Sequence, residues 1–331
     1  MKTMVKTAFI LLTLSLSIQS CLSGNKKNDK EGLNWSSGDI SFVQEYPAKS
    51  DFNLALTTPG GSIDVEGYDG RTAIVNFIVN KNGRVLSMTL DELKKKAEVE
   101  IKSNEGMLSI TIKRIKPYNL NVGFRVKVPV NTKCRLLTSG GSIRLKSLTG
   151  NQDFKTSGGS LSMDGLKGNL TGKTSGGSIH MNDLQGQIDM MTSGGSIHGK
   201  NLTGNLVAKS SGGSISLDSM RGFADVATSG GRINLTNMSG GVSAGTSGGS
   251  IHADILKLTD RLRLTTSGGN IDCTMSGNSG MNLDLSGNRV NINLVNFTGK
   301  SKKDFVSGQM NGGGIPVVMS TSGGLVSVNL R

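Results

Sequence analysis

Aspartates recur in the second half of the chain at spacings that could serve acid chemistry on a polysaccharide. They form two series, which are Asp153, Asp189 and Asp225, and Asp164, Asp218 and Asp254. Enzymes that hydrolyse glycosidic bonds place two carboxyl groups beside the bond, and one of them must hold a proton. No glutamate follows Glu105, so no glutamic acid is available for that role. A polysaccharide-active enzyme is therefore the alternative function and not the favoured one.

The chain has three histidines, His180, His198 and His252, and each directly follows an isoleucine. His180 and His198 are 18 residues apart, which would place two imidazoles side by side if each repeat formed one turn. Such a pair could bind a transition metal ion, but a metal site needs further ligands. The equivalent positions of neighbouring repeats hold serine or asparagine. We expect a solvated polar column, with no metal ion and no cofactor.

Basic residues point to an anionic partner. The net charge is +13, and a field of this sign favours lipid head groups, acidic polysaccharides or DNA. Lys155, Lys173 and Lys209 occupy one position of the repeat and predict a basic binding column. We expect a wider basic face that also includes Arg144, Lys146, Lys167 and Lys200. Residues 136–331 contain four phenylalanines and no tyrosine or tryptophan, which argues against nucleic-acid binding by base stacking and against a lectin platform.

Glycine pairs divide the middle of the chain into repeats of 18 residues. Seven Gly-Gly pairs begin at intervals of 18 residues, and this constant spacing indicates a repeat protein. Each pair is preceded by Thr-Ser or Ser-Ser, and an apolar residue, usually isoleucine, follows one residue later. The glycines are Gly140, Gly141, Gly158, Gly159, Gly176, Gly177, Gly194, Gly195, Gly212, Gly213, Gly230, Gly231, Gly248 and Gly249.

Each repeat is predicted to form two short strands separated by two glycine turns. Apolar residues alternate with polar ones, as Ile179 and Met181 do, which is typical of a strand with one buried face. One repeat cannot bury its own apolar face, whereas stacked repeats can. The sequence predicts an all-β fold, a parallel β-solenoid with 18-residue coils, in which the glycine corners allow positive φ and close backbone approach. Threonine and serine hydroxyls should satisfy the turn amides.

The N-terminus predicts export and a lipid anchor. Lys2 and Lys6 precede a mostly apolar stretch that ends Ile18-Gln19-Ser20-Cys21. This is the pattern of a signal peptide, and its end resembles a bacterial lipobox in which Cys21 is lipidated. We therefore expect a signal peptide over residues 1–21 and a flexible tether over 22–34. The other cysteines, Cys134 and Cys273, should lie about seven coils apart and stay unpaired, because a disulfide requires Cα atoms within about 7 Å.

Three regions are expected after the tether. Residues 35–135 should form an irregular β-rich N-terminal cap with one short helix, which a capping box at Thr89-Leu90-Asp91-Glu92 opens. Residues 136–275 hold the regular repeats, and residues 276–331 should form C-terminal coils and a cap. The two irregular ends would cover the terminal strands of the stack, whose edges otherwise invite aggregation.

The coils carrying Thr-Ser-Gly-Gly-Ser-Ile resemble a β-strand-repeat family of unknown function that bears the name adhesin. The segments Leu56–Val65 and Asn311–Gly314 fit that family too, and the resemblance covers roughly residues 40–331. The chain is also similar to the head domains of auto-transporter adhesins in Bacteroidetes-like lipoproteins. The resemblance implies a β-solenoid and an envelope location. It implies no catalytic residues, and adhesin is a name there and not a mechanism.

The function predicted from the sequence is that of a non-enzymatic envelope lipoprotein with a structural or surface-binding role. Its partners would be the membrane, through the lipid anchor, and an anionic envelope polymer or another surface protein. Specific nucleic-acid binding is not expected. The outer membrane is the favoured location, because Leu22 after the cysteine supplies no obvious signal for retention in the inner membrane. A sensor or regulatory accessory protein is a second alternative, and the oligomeric state stays open.

Overall fold

The structure is a computed structural model that describes residues 40–115 and 120–331. The predicted signal peptide, the predicted tether and Cys21 lie outside the described residues. Within the described part the chain forms 25 strands and one short helix, which confirms the predicted all-β class. The strands stack as coils of a parallel β-solenoid with irregular ends, as predicted.

The N-terminal strands lie before and after the only helix of the described residues in the chain. The helix α1 spans Leu90–Lys94 and begins at the predicted capping box, in which Thr89 and Glu92 exchange hydrogen bonds. The strands are β1 (Phe42–Pro47), β2 (Phe52–Thr58), β3 (Ile63–Tyr68), β4 (Thr72–Lys81), β5 (Arg84–Val85), β6 (Ala97–Asn104), β7 (Met107–Ile115), β8 (Leu120–Pro129) and β9 (Thr132–Thr138).

The regular coils follow, with long bent strands in the middle of the stack. They are β10 (Ile143–Lys146), β11 (Gln152–Lys155), β12 (Leu161–Asp164), β13 (Lys167–Thr174), β14 (Ile179–Thr192), β15 (Ile197–Ser210), β16 (Ile215–Thr228), β17 (Ile233–Thr246) and β18 (Ile251–Thr266). The C-terminal strands are β19 (Ile271–Met275), β20 (Met281–Ser286), β21 (Arg289–Ile292), β22 (Phe297–Ser301), β23 (Phe305–Met310), β24 (Ile315–Thr321) and β25 (Leu325–Leu330).

Two walls of strands enclose the core, and the long strands β14 to β18 belong to both. The first wall, here called face I, runs β1, β4, β8, β3, β10, β12, the first halves of β14 to β18, β19, β25 and β21. The second, face II, runs β6, β7, β2, β9, β11, β13, the second halves of β14 to β18, β24, β20, β23 and β22.

The register between coils is a shift of one 18-residue repeat. Ile179 of β14 pairs with Ile197 of β15, and Ile188 of the same strand pairs with Leu206. Inward residues therefore form apolar columns along the axis, and these positions are buried in a single core. A two-residue insertion in β18 shifts the register to Ile271, yet the column continues into β19.

The first corner of each coil carries the predicted glycine pair, and the structure gives its physical reason. A Cβ on the second glycine, such as Gly195, would lie 2.0 Å from the carbonyl oxygen of Gly177 in the preceding coil. The first glycine, such as Gly194, leaves room for a Cβ, whose nearest neighbour would be 3.6 Å away. Because none of the fourteen corner glycines has positive φ, the expectation of positive φ at this corner is wrong.

Positive φ belongs to the second corner instead. There Gly186 has φ +131°, and a Cβ on it would meet the carbonyl oxygen of Gly168 at 2.1 Å. Three residues earlier Asp183 takes a left-handed conformation with φ +54°, which aspartate and asparagine tolerate better than most residues. This pattern of one left-handed residue and one glycine repeats from coil to coil.

Threonine hydroxyls join the first corners into a ladder, as predicted. Thr174 donates a hydrogen bond of 2.8 Å to the carbonyl oxygen of Gly159 in the preceding coil. The same hydroxyl accepts from the amide of Gly177 at 3.3 Å within its own coil. The bond between coils recurs at Thr58 and Thr321, so the ladder reaches both irregular ends.

The ends of the stack do not follow chain order. On face I, β3 pairs directly with β10, although about eighty residues separate them in the chain, and β8 and β4 lie beyond β3. At the other end β20 lies beyond β24 in space while preceding it in sequence. Antiparallel pairs cover the last parallel strands at the N-terminal end of both faces and at the C-terminal end of face II.

Candidate functional site

Basic side chains collect on the outer surface of face II. Lys155 and Lys173 are in register on adjacent strands, and Lys209 follows after Met191 in the same column. All three lysines are exposed. Strands in a sheet are about 4.8 Å apart, so the first two lysines are direct neighbours and the third lies about 10 Å further.

The column belongs to a broader basic surface between β9 and β18. Its outward positions hold seven basic residues against four aspartates in the same coils. The basic residues are Lys133, Arg135, Lys155, Lys173, Lys209, Arg261 and Arg263, and the acidic ones are Asp153, Asp189, Asp225 and Asp260. Within the described residues none of these seven forms an ion pair, and Arg261 stacks on the Phe223 ring at 4.7 Å.

The other basic residues expected on the same surface lie elsewhere. Arg144, Lys146 and Lys200 point outward from face I, and Lys167 lies at the second corner. The predicted wider basic face is therefore wrong as a single surface, because alternate halves of each coil face opposite sides of the solenoid.

Face I is balanced in charge and its polar side chains bond across coils. In β10 to β18 its outward columns hold Arg144, Lys146 and Lys200 against Asp164, Asp218 and Asp254. Asn182 donates to Asp164 at 2.7 Å and Asn237 donates to Asp218 at 2.8 Å. The bond from Asn237, with further help from Ser219, Thr236 and nearby Lys200, lowers the pKa of Asp218.

The two aspartate series lie on opposite faces. Asp153, Asp189 and Asp225 are on face II, where Thr171 and Val207 separate them. Carboxylates two coils apart are about 10 Å from each other, the outer limit for a pair that hydrolyses a glycosidic bond. The second series is on face I, where Asp164 and Asp218 accept the cross-coil hydrogen bonds and Asp254 forms an ion pair with Arg331.

The histidines point outward on face I. The His180 and His198 rings stack with centroids 5.3 Å apart and an interplanar angle of 11°. Partial burial lowers the pKa of His180, and the neighbouring His198 lowers it further. His252 contacts the carboxylate of Asp272 through Nδ1 at 3.1 Å. In the described part of the chain, no three His, Cys, Asp or Glu side chains come together as metal ligands.

Cys134 and Cys273 are buried and unpaired, as the coil spacing predicts. Burial raises the pKa of the Cys134 thiol far above its usual range, and burial with the nearby Asp272 and Asp254 raises that of Cys273 to about 12. Both thiols are therefore protonated at neutral pH and unreactive.

A polar cleft of about 560 Å³ lies where face I meets the N-terminal end, and the sequence pattern did not point to it. Asp64 is buried there between Arg125 and Arg144, with each guanidinium 3.8 Å from the same carboxylate oxygen. Burial raises the pKa of Asp64, while Arg144 and then Arg125 oppose the shift. These residues come from three separate strands, so only the register of the sheet could reveal the group.

No helix among the described residues is long and apolar enough to cross a membrane.

A family model and several solved structures are similar to this chain. The model of the family described as Toastrack DUF4097 matches residues 164–329. Among solved structures, a "putative adhesin" from Parabacteroides distasonis is 13% identical, with TM-score 0.42 over 88% of this chain and 98% of that one. A second protein of that name, from Bacteroides fragilis, is 12% identical, with TM-score 0.32 over 87% and 96%. A "putative lipid binding protein" from Parabacteroides distasonis is 15% identical, with TM-score 0.35 over 86% and 96%. None of the curated proteins matches the chain.

Proposed function

This chain belongs to the Toastrack DUF4097 family, and we propose that it is a non-enzymatic, surface-binding protein of the bacterial cell envelope whose face II binds an anionic polymer. The observation that supports this function is the basic surface of face II. Like charges that neighbour each other on adjacent strands destabilise a sheet. Lys155 and Lys173 stand in that arrangement without an acidic partner among the described residues, so an external polyanion would remove their repulsion.

The repeat suits a polymer better than a small ligand. A small ligand needs a concave site with convergent groups, whereas the lysine column presents equivalent charges at intervals of one or two coils along the axis. A chain of anions lying along that axis would meet Lys155, Lys173 and Lys209 in turn. Such binding is multivalent, and each contact can be weak.

The test is binding to dextran sulfate, with neutral dextran as the reference, for the full chain and two triple variants. Lys155→Glu, Lys173→Glu and Lys209→Glu together should weaken binding at least about tenfold at low salt, since charge contacts dominate such affinity. The matched control is Lys167→Glu, Arg221→Glu and Lys257→Glu, which changes net charge equally in one column of the second corner.

The control should lose far less affinity than the face II variant. Equal losses would mean that net charge alone governs binding, and face II would not be the site. An unmodified chain that fails to bind the sulfated polymer would also contradict the proposal. Incubation of the unmodified chain with acidic polysaccharides should release no reducing ends. A release that Asp189→Asn abolishes would favour the alternative function, a polysaccharide-active enzyme.

We further propose that Cys21 carries the lipid that anchors the chain, with the outer membrane as its location. The support is the basic start at Lys2 and Lys6 and the lipobox-like end of the apolar stretch. A Cys21→Ser variant should leave the membrane fraction, and its molecules should lack the acyl mass. Persistence of the variant in membranes would refute the anchor, whereas the unmodified chain is expected there.

A further inference from the structure

The polar cleft at the N-terminal end of face I has the build of a binding site. Its floor is Gly123 on β8, and the partly exposed side chain of Ile78 on β4 lies opposite in the pairing. A Cβ at Gly123 would come within 2.8 Å of the Ser62 carbonyl oxygen, so this strand position must stay without a side chain. The floor is therefore a shallow depression with an apolar side.

Polar groups surround that floor on two sides. On one side Arg125, Asp64 and Arg144 follow one another across β8, β3 and β10. On the other, Asn121 pairs with Asn80 beside the turn that leads from β4 into β5. The backbone of the glycine corner at residues 60 and 61 completes the lining.

The charges of the cleft select the kind of ligand. Asp64 is 8% exposed, yet both guanidiniums are 3.8 Å from it, longer than a direct hydrogen bond. The side chain of Arg144 is 56% exposed and can reach a ligand. Two guanidiniums and one carboxylate leave one net positive charge, which a monoanion neutralises, whereas a doubly charged phosphate would leave the cleft with a net negative charge. A carboxylate is also the anion that an arginine fork matches in geometry.

The remaining groups suit hydroxyls. The Asn121 amide can both donate and accept, and Asp64 can accept. The Asn80 oxygen already accepts from the Gly83 amide at 2.9 Å, so Asn80 offers mainly its NH2 group as a donor. Sugar hydroxyls can both donate to and accept from such groups. The apolar side of the floor at Ile78 offers contact for the C–H face of a ring. A volume of about 560 Å³ lies within the range of small-ligand clefts.

We propose that this cleft binds a sugar residue that carries a carboxylate, with Arg144 on the carboxylate and Asp64, Asn80 and Asn121 on ring hydroxyls. The site is separate from face II, because it lies on the opposite wall at the N-terminal end. It adds a specific contact for one acidic sugar to a chain that we propose binds polyanions through charge alone.

The test is calorimetric titration of the full chain with a uronic acid trisaccharide. The matched uncharged trisaccharide and acetate serve as reference ligands. The acidic trisaccharide should bind, and Arg144→Gln should weaken it at least about tenfold. Arg221→Gln, which removes an exposed arginine from the second corner, outside both proposed sites, should leave the affinity unchanged. Asn121→Ala leaves the Asp64 cluster intact and should also weaken binding. It therefore shows whether a loss of affinity reflects a lost ligand contact and not misfolding around Asp64.

Each other outcome overturns the assignment. Equal binding of the uncharged trisaccharide would exclude carboxylate recognition, and full competition by acetate would reduce the site to one for any small anion. Unchanged affinity in both Arg144→Gln and Asn121→Ala would place the sugar elsewhere. The face II triple variant separates the two proposals, because it should keep the trisaccharide while losing dextran sulfate.

Discussion

Face I and face II are built from the same coils and present opposite surfaces. Inward, both bury mainly apolar columns, which Gln152 interrupts on face II, and the same corners join them. Outward, face I matches acid with base and links neighbouring coils by hydrogen bonds, as between Asn182 and Asp164. Face II from β9 to β18 carries an excess of bases without ion pairs in the described chain. Corners and inward columns therefore determine the fold, while the outward columns are free to determine binding.

The first prediction tests whether the corner that joins the faces determines the stability of the whole coil. Gly195→Ala should lower the free energy of unfolding by more than about 3 kcal/mol, because the new Cβ would lie 2.0 Å from a backbone oxygen that cannot move without its coil. Gly194→Ala is the matched control and should change it by less than about 1 kcal/mol. Urea denaturation measures both, and similar losses would contradict the distinction between the two glycines.

The difference between these neighbouring glycines marks the limit of what the sequence reveals. The period of 18, the alternation around Ile179 and the hydroxyl ladder were predictable, because each is a local pattern repeated many times. Close backbone approach at this corner was predicted too, but its restriction to the second glycine of each pair was not, because it depends on how Gly195 meets Gly177 in the preceding coil. The cleft around Asp64 was hidden for the same reason, since β3 and β8 become neighbours only through the order of strands at the capped end.

The second prediction compares one inward glycine on each face. On face II a Cβ at Gly172 would lie 2.5 Å from the rigid Phe154 ring, so Gly172→Ala should cost about 2 kcal/mol. On face I a Cβ at Gly199 would meet the flexible ends of Leu217 and Leu202 at 2.7 and 2.8 Å. Gly199→Ala should therefore cost clearly less. Melting curves of both variants decide this, and a reversed order would show that face I is packed more tightly.

The third prediction concerns the stacked histidines of face I. Burial, and then His198, lower the pKa of His180 from 6.5 in the folded chain, so the unfolded chain binds this proton more readily. The contribution of neutral His180 to the free energy of unfolding is complete above pH 6.5 and is lost as the pH falls below it. The loss should be a fraction of 1 kcal/mol, because solvent screens this largely exposed pair.

Unfolding measured between pH 7.5 and pH 5 should show this decline, and His180→Gln should flatten it. The unchanged chain and Ser216→Ala, at the same position two coils away, should keep their slopes. A slope that His180→Gln leaves intact would assign the decline to other groups.

The smallest effect distinguishes the faces most directly, because it should differ in sign. Lys173 on face II neighbours Lys155, so Lys173→Gln should stabilise the chain by ~0.3 kcal/mol at low salt. Lys200 on face I neighbours Asp218, whose pKa it helps to lower, so Lys200→Gln should destabilise. Both effects should fade at about 1 M salt, where charges are screened within about 3 Å. If Lys173→Gln instead destabilised the chain, the lysine column would support the fold and its role in binding would lose its physical basis.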